Sequence, residues 1–418
     1  MPEIHVIGAG MAGLAAAVSL VQKGLRVILY EAAGQAGGRC RSFVDKKLQC
    51  VIDNGNHLLL TGNKSAMRYI SEIGAGDRLI GPQKALFPFV DIRTGQRWCV
   101  RPNAGILPWW ILSAKRRVPD TRARDYLSAL RFVTAPKDRT VYACAGNTSA
   151  LYDRFWEPLA VSVLNTPAER AAACLLGPVL LETFARGDAA CRPRIARLGL
   201  SHTLVDPALE CLHRHGATVW MRRMLRRLGC TGQRVTELDF GTTNVALGQE
   251  DRVILALPAP ATARLLPPLP VPEATHPIVN VHFRVGQPPD TSYDSPLVGI
   301  VGGTAHWVFI RGDVISVTVS AADALAEESS DTIAHHTWHD VAIALGLPRA
   351  TIPPNRVIKE KHATFAQTPD AIARRPATRT DIANLYLAGD WTDTGLPATI
   401  EGAIRSGHKA ARAVLQDG

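Results

Sequence analysis

Three glycines and one acidic residue near the start of the chain have the types and spacing that bind a dinucleotide. Gly8, Gly10 and Gly13 follow an apolar run at 4–7, and Glu31 stands 18 residues after the last of these glycines. Gly8 permits a tight turn, Gly10 lets the backbone approach a pyrophosphate, and Gly13 allows a helix to pack closely on a strand. Glu31 can accept hydrogen bonds from a ribose. The chemistry predicted is therefore the binding of NAD or FAD.

The elements that must position these residues form a strand, a helix and a second strand. An apolar run precedes the glycines, an Ala- and Leu-rich stretch predicts a helix to about residue 22, and residues 25–30 predict a second buried strand. Met11 and Ala12 would begin the helix, whose N-terminus carries a partial positive charge. The unit therefore directs backbone amides and a favourable field at the phosphates of a dinucleotide.

Two later motifs distinguish a flavin from a nicotinamide cofactor. Gly37-Gly38-Arg39 combines bare amides with a forked donor that suits a pyrophosphate. Gly389-Asp390 ends an apolar strand near the C-terminus and would bring a second amide and a carboxylate back to the cofactor. Simple nicotinamide dehydrogenases have no use for such a distant contact, and no second dinucleotide motif follows. We therefore expect bound FAD, with NADPH or a separate reductase as the external electron donor.

Composition and charge limit the class of protein. The 418 residues are 46% hydrophobic and 20% charged, which excludes a disordered or fibrous chain. A net charge of +10 favours an anionic partner, which could be a membrane surface, a phosphate-bearing ligand or nucleic acid. Eight cysteines without a C-x-x-C pair indicate reduced thiols in a cytoplasmic compartment. No uncharged apolar run reaches the roughly 18 residues that a spanning helix needs.

Three weaker patterns are assigned to the surface of the protein. His335, His336 and His339 include a pair at i, i+4 but have no evident third ligand, so we expect no metal site. The basic stretch 221–228 predicts a surface helix and no nucleic-acid site, because aromatic residues are not interleaved with its arginines. The triplet 147–149 matches a glycosylation acceptor, which a cytoplasmic protein would not use.

In combination, the motifs resemble the flavin-containing amine oxidase and phytoene desaturase superfamily. Residues 53–60, 156–170 and 387–403 narrow the resemblance to the hydroxysqualene dehydroxylases of bacterial hopanoid biosynthesis. The sequence departs from that family at Asn56, where glutamine is common, and at Asp393, where a small residue is usual. The resemblance implies an α/β fold, in which a discontinuous Rossmann-type FAD-binding domain is combined with an α+β substrate domain.

The resemblance also implies how the chain is divided between these two domains. The FAD-binding domain would comprise residues 1–80, 206–262 and 379–418. The substrate domain would comprise residues 81–205, which include a membrane-facing helical segment, and residues 263–378. Each domain would therefore be assembled from separated parts of the chain.

Further cofactor-binding residues follow from the same resemblance. Seven positions are implied, namely Gly55, Asn56, His57, Val235, Ala398, Thr399 and Ile400. No cysteine follows Cys230, so a covalent link between FAD and the C-terminal motif is excluded. We therefore expect the FAD to be bound non-covalently.

The reaction that the resemblance implies is the replacement of the allylic hydroxyl of hydroxysqualene by hydrogen, which gives squalene. Reduced flavin would deliver hydride as water leaves, beside an apolar tunnel that excludes bulk water. A proton donor must help the hydroxyl to depart, and Glu157, His57, Asp393 and a bound water are the alternatives. Glu157 lies in a stretch rich in proline and aromatic residues, where desolvation would raise its pKa. Asp53 stands in a Gly- and Asn-rich turn and is predicted to form that turn.

Other functions are compatible with the same motifs. A carotenoid-type desaturase or an amine oxidase would keep the fold and reverse the flow of electrons. A non-catalytic flavoprotein that carries prenyl chains would use the same cavity without redox chemistry. The sequence leaves these alternatives open, because the cofactor motifs are common to all of them.

A short apolar segment between basic ends predicts contact with a membrane surface. Within 101–117, six large apolar residues lie in the seven positions 106–112, including Trp109 and Trp110, and three basic residues follow at 115–117. Such a segment is too short to span a bilayer but suits its interface. We expect a cytoplasmic protein that associates peripherally with the inner face of the cytoplasmic membrane, where a hydrocarbon substrate resides. The alternative is that both tryptophans are buried in the substrate domain.

Overall fold

The computed structural model describes residues 2–146, 149–290 and 295–417, so two positions of the predicted glycosylation triplet, 147 and 148, lie outside the described residues. The strands, in chain order, are β1 (Glu3–Ile7), β2 (Arg26–Tyr30), β3 (Ser42–Asp45), β4 (Cys50–Asp53), β5 (Leu59–Leu60), β6 (Leu79–Ile80), β7 (Phe87–Asp91), β8 (Arg97–Val100), β9 (Pro193–Ala196), β10 (Thr218–Trp220), β11 (Arg227–Thr231), β12 (Arg234–Asp239), β13 (Asn244–Ala246), β14 (Arg252–Leu255), β15 (Thr275–Arg284), β16 (Leu297–Val301), β17 (Trp307–Arg311), β18 (Val314–Val319), β19 (Asn355–Phe365) and β20 (Leu385–Leu387). The α-helices are α1 (Met11–Val21), α2 (Lys64–Glu72), α3 (Ser128–Val133), α4 (Val141–Ala145), α5 (Glu157–Leu164), α6 (Leu176–Glu182), α7 (Asp188–Cys191), α8 (Asp206–Arg214), α9 (Ala259–Leu265), α10 (Asp323–Glu327), α11 (Ser330–Leu345), α12 (Pro369–Ala373) and α13 (Ile400–Gln416). Short 3-10 turns occupy Gly76–Arg78, Trp109–Leu112, Ala123–Leu127, Ala173–Leu175 and Phe184–Arg186, and π-helical turns occupy Tyr152–Trp156 and Ser201–Val205.

A five-stranded parallel sheet forms the centre of the first domain. Its order is β10-β2-β1-β14-β20, and each neighbouring pair is parallel. These strands come from widely separated parts of the chain, so the domain is discontinuous. A parallel sheet is apolar on both faces because both are covered. Helices α1, α2 and α13 cover one face, and the small sheet β11-β12-β13 covers the other.

A seven-stranded sheet forms the centre of the second domain. Its order is β19-β15-β18-β17-β16-β7-β8, in which β16 and β7 are parallel and the other neighbours are antiparallel. One face packs on α11 around Phe283 and Trp338. The opposite face, which we call the inner face, is covered in part by α3 to α6 through an aromatic core that includes Phe89 and Trp156. The inner face therefore turns toward the elements that carry the predicted site.

Asp53 joins the two domains, which corrects the prediction that it forms a turn. Its carboxylate is buried, and Oδ1 accepts hydrogen bonds from Ser42 Oγ at 2.6 Å and from the amide of Leu200 at 2.9 Å. Oδ2 pairs with Arg311 of β17 at 2.7 Å. A buried carboxylate is tolerated only when it is paired. Asp53 therefore ties the segment before residues 54–57 to the seven-stranded sheet.

The basic stretch 221–228 is not the predicted helix. Its first six residues have no regular structure, and its last two belong to β11. Arg222 has a left-handed backbone with φ of 57°, and its amide donates to the carbonyl of Ala33 at 3.0 Å. The amide of Arg223 donates to the carbonyl of Glu31 at 2.7 Å. The amides of Arg222 and Arg223 therefore donate to residues that follow β2, and these hydrogen bonds replace those that a helix would form.

The segment 101–117 contains no α-helix. It contains one 3-10 turn, Trp109–Leu112. The side chain of Asn103 accepts the amide of Trp110 at 3.0 Å and donates to the carbonyl of Leu107 at 2.9 Å. Asn103 thus forms hydrogen bonds with a backbone amide and a backbone carbonyl that an α-helix would otherwise pair with each other's neighbours. Such side-chain bonds compete with helix formation.

Candidate active site

The glycine turn leaves space that the protein itself does not fill. Gly8 has a left-handed φ of 104°, and a Cβ there would lie 2.5 Å from the carbonyl oxygen of Ala256. A Cβ on Gly13 would lie 1.8 Å from the carbonyl oxygen of Gly8. A Cβ on Gly10, in contrast, would meet no atom of the described residues within 4 Å. Protein packing therefore requires Gly8 and Gly13, whereas Gly10 borders open space that a phosphate can approach.

The N-terminus of α1 meets this space without a side-chain cap. Gly10 stands at the N-cap, and Met11 and Ala12 begin the helix with their side chains buried in the core. The amides of a first helical turn have no partner within the helix. They are therefore available to an anion such as a pyrophosphate.

Glu31 connects the end of β2 to the glycine turn. Its Oε2 accepts the amide of Ala9 and its Oε1 accepts the amide of Ala33, each at 2.8 Å. The residue remains partly accessible. A carboxylate has about four acceptor sites, so two remain for the hydroxyls of a ribose.

We expect Glu31→Gln to weaken FAD binding nearly as much as Glu31→Ala. The glutamine amide can accept one backbone bond but places a donor against the other amide. The lost bonds correspond to about 1–3 kcal/mol, or roughly 5- to 150-fold in the dissociation constant. Titration of the apoprotein with FAD measures the effect, with Glu3→Gln on β1 as the control. Unchanged affinity in Glu31→Gln would contradict the role of the carboxylate.

Arg39 and Asp390 bring the N-terminal and C-terminal motifs together. Arg39 Nη2 donates to Asp390 Oδ2 at 2.8 Å, and Nη1 donates to the carbonyl of Ala363. A Cβ on Gly38 would lie 3.3 Å from Gly10 Cα, so the two glycine motifs are adjacent. A guanidinium has five N–H donors, and those that remain can serve a pyrophosphate.

Arg39→Lys is expected to lose FAD affinity although it keeps the positive charge. The ammonium of lysine is a point charge that cannot bridge Asp390 and the carbonyl of Ala363 as a planar fork does. The expected loss is about 1–3 kcal/mol of binding free energy. Apoprotein titration measures it, with Arg26→Lys, whose ion pair with Glu3 is exposed, as the matched control. If Arg39→Lys binds FAD as tightly as the wild type, the prediction is wrong. Arg39 would then form only a surface ion pair, which contributes at most ~1 kcal/mol.

Arg375 is a site residue that the sequence analysis missed. Its buried guanidinium donates to the carbonyl oxygens of Thr392 at 3.0 Å, Leu396 at 2.8 Å and Asp390 at 3.2 Å. Burial lowers the pKa of Arg375, and a buried cation needs such a shell of oxygens. Arg375 therefore holds the loop 390–396 in place. No sequence motif marks it, because its partners are mainly backbone groups.

Asp393 lies in this loop but does not join the other candidates. The residue is exposed, and its Oδ1 accepts the amide of Gly395 at 3.2 Å within its own turn. Its carbonyl accepts a hydrogen bond from Lys409 Nζ at 3.1 Å. The carboxylate therefore stabilises a surface turn, and this position does not support Asp393 as a proton donor.

The C-terminal motif leads to the N-terminus of α13. Thr399 caps this helix, because its Oγ1 accepts the amide of Gly402 at 3.1 Å. The amide of Ala398 donates to Gln367 Oε1 at 2.8 Å, and Ile400 begins the helix with a buried side chain. The amides of Ala398 and Gly402 are thus used within the protein. The amides of Ile400 and Glu401 in the first helical turn, together with the partial charge of the helix end, remain for a cofactor.

The turn 54–57 lies close to the same motifs. Asn54 Nδ2 donates to Glu360 Oε2 of β19 at 2.9 Å, and His57 Nε2 lies 4.0 Å from Cys40 Sγ. Burial lowers the pKa of His57 to about 4, although the residue is partly accessible. His57 is therefore deep in the protein and still accessible, from which we infer a cavity beside these motifs.

The predicted cofactor residues divide between the cavity wall and the packing beneath it. The accessible residues are Gly10, Glu31, Gly38, Arg39, Gly55, Asn56, His57 and Thr399. The buried residues are Gly8, Met11, Ala12, Gly13, Gly389, Asp390, Ala398 and Ile400. Bare amides, a helix N-terminus and a forked cation suit a pyrophosphate, and the acceptor Glu31 suits a ribose. The residues present therefore fit FAD.

Val235 is not brought to this cavity. Its side chain is fully buried in a core with Ile7 and Tyr30. Its backbone N–H and C=O are both bonded to the side chain of Asn384, each at 2.9 Å. Because β12 packs this valine against the parallel sheet, the side chain has no accessible surface, and its contact with the cofactor stays a prediction.

The inner face of the seven-stranded sheet is polar on one side and aromatic on the other. Residues of β15 and β18 alternate between the core under α11 and the inner face, which places Asn280 and Thr318 on the inner face. Glu360 of β19 lies on the same side. Trp307 of β17 and Phe89 of β7 form the aromatic side, with ring centroids 5.4 Å apart. A polar cofactor edge and a hydrocarbon chain would thus meet different halves of one surface.

Glu157 lies in a separate cleft of about 350 Å3 at the end of this sheet. Its lining includes Glu169, His306 and Ser320. Burial raises the pKa of Glu157, and the charge of Glu169 raises it further. Ser320 follows Thr318 by two residues, so the cleft adjoins the polar side of the inner face. A larger cleft of about 480 Å3, beside α2 and β6, contains none of the candidate residues.

Comparison with known proteins assigns this fold and cavity to a class of flavoenzymes. Residues 11–415 match the family described as flavin containing amine oxidoreductase, and the chain belongs to this family. It is 45% identical over its full length to a hydroxysqualene dehydroxylase of Sinorhizobium fredii, of which it covers 99%. It is 44% identical over 99% of its length to a hydroxysqualene dehydroxylase of Rhodopseudomonas palustris, again covering 99%. A solved structure of a putative protoporphyrinogen oxidase from Exiguobacterium is similar with a TM-score of 0.70 and 17% identity, over 100% of this chain and 99% of that one.

These comparisons confirm the predicted resemblance and the predicted α/β fold class with its FAD-binding domain. The chain is an FAD-dependent oxidoreductase. Within the described ranges, no helix has the length and apolar character needed to cross a membrane. The same ranges contain no group of three or more His, Cys, Asp or Glu side chains that could hold a metal ion.

Proposed function

We propose that this chain removes the hydroxyl group of hydroxysqualene and releases squalene. The observation that carries the proposal is the divided inner face, where cofactor motifs adjoin polar residues and an aromatic surface continues beside them. Apolar pockets with a few placed polar groups are typical of sites for such ligands. The name of the full-length relatives supports the same activity.

The proposed reaction consumes one hydride and one proton for each hydroxyl lost as water. When bound and reduced, FAD supplies the hydride and is left oxidised by two electrons. Glu31 and Arg39 bind the cofactor, and Arg375 holds the loop beside it. The aromatic side of the inner face, with Phe89 and Trp307, excludes bulk water from the developing allylic cation. The C–O bond breaks as the new C–H bond forms.

Glu157 is the proton donor in this proposal. Its raised pKa keeps more of the carboxyl protonated near neutral pH, and its open cleft allows reprotonation from solvent. His57 suits the role less well, because a pKa of about 4 leaves the imidazole neutral. Activity should fall as the pH rises through the raised pKa of Glu157. Glu157→Gln should remove this dependence, while Glu169→Gln should keep it and shift it to lower pH, because the charge of Glu169 no longer raises the pKa of Glu157.

The electron donor proposed is NADPH or a separate reductase that visits the bound FAD. The chain carries one dinucleotide motif, which FAD would occupy. We also propose that the FAD is held without a covalent bond. Acid should therefore release the flavin of the purified protein into the supernatant, and a flavin that stays with the precipitate would contradict this proposal.

A surface of exposed apolar side chains supports peripheral membrane association. Ile106 and Leu107 are each 74% exposed, Leu112 is 70% exposed and Trp109 is 50% exposed. The neighbouring turn and helix α3 add two leucines that are more than half exposed. We call this set the apolar patch: Ile106, Leu107, Trp109, Leu112, Leu127 and Leu130. Such a patch marks an interaction surface.

Charge and packing define the patch further. Exposed basic residues are interspersed with it in the sequence, namely Arg101, Lys115, Arg122, Arg124 and Arg131. These cations would attract anionic lipid, and a hydrocarbon substrate resides in the bilayer. Trp110 does not contribute, because it is buried against Tyr126 with ring centroids 5.3 Å apart. We propose that the patch docks on the inner face of the cytoplasmic membrane.

Anaerobic single-turnover mixing tests the proposed activity. Photoreduced protein mixed with hydroxysqualene should reoxidise its flavin and form squalene. Oxidised flavin that is bleached by a polyene precursor or by an amine would instead indicate a desaturase or an amine oxidase. Absence of any redox change with these compounds would indicate a non-catalytic prenyl carrier.

A further inference from the structure

The side-chain amide of Asn56 is held in one orientation by the inner face of the sheet. Nδ2 donates to Asn280 Oδ1 at 3.3 Å, to the carbonyl of Val317 at 3.2 Å and to Thr318 Oγ1 at 3.1 Å. Asn280 Oδ1 also accepts the backbone amide of Asn56 at 3.3 Å and the hydroxyl of Thr318 at 2.9 Å. An atom that accepts from a backbone N–H must be an oxygen. The nitrogen of Asn56 therefore faces the sheet.

The oxygen of the same amide is left for a ligand. Asn56 Oδ1 has no donor among the residues that the structure describes, whereas Nδ2 has three acceptors. Asn56 is partly accessible, while Asn280 beneath it is 1% exposed. An amide oxygen accepts up to two hydrogen bonds. A fixed acceptor is thus presented at the cavity wall.

Asn56 stands where the polar and aromatic sides of the inner face meet. Its partner Thr318 is paired in register with Trp307 on the neighbouring strand. Trp307 belongs to the aromatic core. Gly55, which precedes Asn56, is accessible, and His57 of the same turn lies 4.0 Å from the thiol of Cys40, the neighbour of Arg39. A group bonded to Asn56 Oδ1 would therefore lie between the cofactor and the hydrocarbon surface.

We propose that Asn56 Oδ1 accepts a hydrogen bond from a neutral donor of a bound ligand. Two sources carry such a donor at this boundary: the hydroxyl of the alcohol substrate and an N–H group at the edge of the flavin ring. The substrate source rests on the proposed function, whereas the cofactor source rests on the family alone. A neutral amide suits both, since it binds the donor without adding a buried charge.

Binding measurements on Asn56→Ala distinguish the two sources. In oxidised, FAD-loaded protein no turnover occurs, and the visible flavin spectrum reports the dissociation constants of hydroxysqualene and squalene. If the substrate hydroxyl is the donor, Asn56→Ala lowers the preference for the alcohol by about three- to tenfold and leaves FAD affinity unchanged. If the flavin is the donor, the same variant weakens FAD binding by about three- to tenfold and leaves the preference unchanged.

Asn355→Ala is the matched control. It removes a side-chain amide of the same type from the end of β19, where Asn355 donates to the carbonyl of Pro353 at 3.1 Å, so the FAD affinity and the preference for the alcohol should both match the wild type. An equal change in Asn355→Ala, or no change in Asn56→Ala, would overturn the proposal. If Asn56→Ala does not fold, Asn56→Leu makes the same test, because it keeps a side chain of similar size and removes the acceptor oxygen. Wild-type protein that prefers the alcohol but forms no squalene when reduced would refute the proposed function and leave the Asn56 measurement valid.

Discussion

Gly10→Ala is expected to fold like the wild type and to lose its FAD. The added methyl group meets no atom of the described residues within 4 Å, and φ of −77° at this position suits alanine. The methyl group would instead occupy the space that the pyrophosphate needs. Overpacking of this kind costs about 1–3 kcal/mol, so the FAD dissociation constant should rise by roughly 5- to 150-fold. Apoprotein titration with FAD measures the rise.

Gly13→Ala should fail for a different reason. Its Cβ would lie 1.8 Å from the carbonyl oxygen of Gly8, so α1 and β1 must separate even in the apoprotein. Its thermal midpoint should therefore fall, while that of Gly10→Ala should not. Gly76→Ala is the control, because its Cβ also meets open space and Gly76 lies outside the candidate set. Wild-type FAD affinity in Gly10→Ala would show that this space is not the phosphate site.

Replacing the most exposed part of the apolar patch should abolish most membrane binding. We expect the variant I106S/L107S/W109S/L112S to keep its FAD, because these side chains are at least half exposed. Each should lose about 1.5 kcal/mol or more of transfer free energy, so partition onto vesicles should fall by more than about 100-fold. Co-sedimentation with phosphatidylglycerol-containing vesicles measures the fall. High salt should also weaken the binding of the wild type to these vesicles, because it screens the charges of the basic residues.

A second pair of exposed apolar residues provides the control for this experiment. Val44 and Val51, on β3 and β4, are 69% and 43% exposed. V44S/V51S removes apolar surface outside the patch and should bind vesicles like the wild type. Trp110 is left unchanged, because a buried tryptophan costs about 3–5 kcal/mol of folding stability when it is truncated. Equal vesicle binding by the four-residue variant and the wild type would show that the patch is not the docking surface.

The sequence by itself determined the cofactor class and the elements that hold it. Gly8, Gly10, Gly13 and Glu31 lie within one strand-helix-strand unit, so their geometry follows from short-range structure. The later Gly-Asp motif could be recognised because it also ends a strand and precedes a helix. Local backbone conformation and spacing determine this chemistry, and both can be inferred from neighbouring residues.

The tertiary structure alone decided which groups complete the site. Asn56 and Asn280 are 224 residues apart, and Asp53 and Arg311 are 258 residues apart, so no local pattern pairs them. Arg375 could not be identified from the sequence, because it donates mainly to backbone carbonyl oxygens, which every residue has.

The same limit applies to burial. Trp109 and Trp110 are neighbours of one type, yet packing in the aromatic core, which includes a contact with Tyr126, buries the second, while the first stays exposed. The stretch 221–228 has a helical composition, yet its first six residues are irregular, because the amides of Arg222 and Arg223 pair with the residues after β2. Long-range contacts form only when the chain is folded, so their partners cannot be inferred from spacing along it.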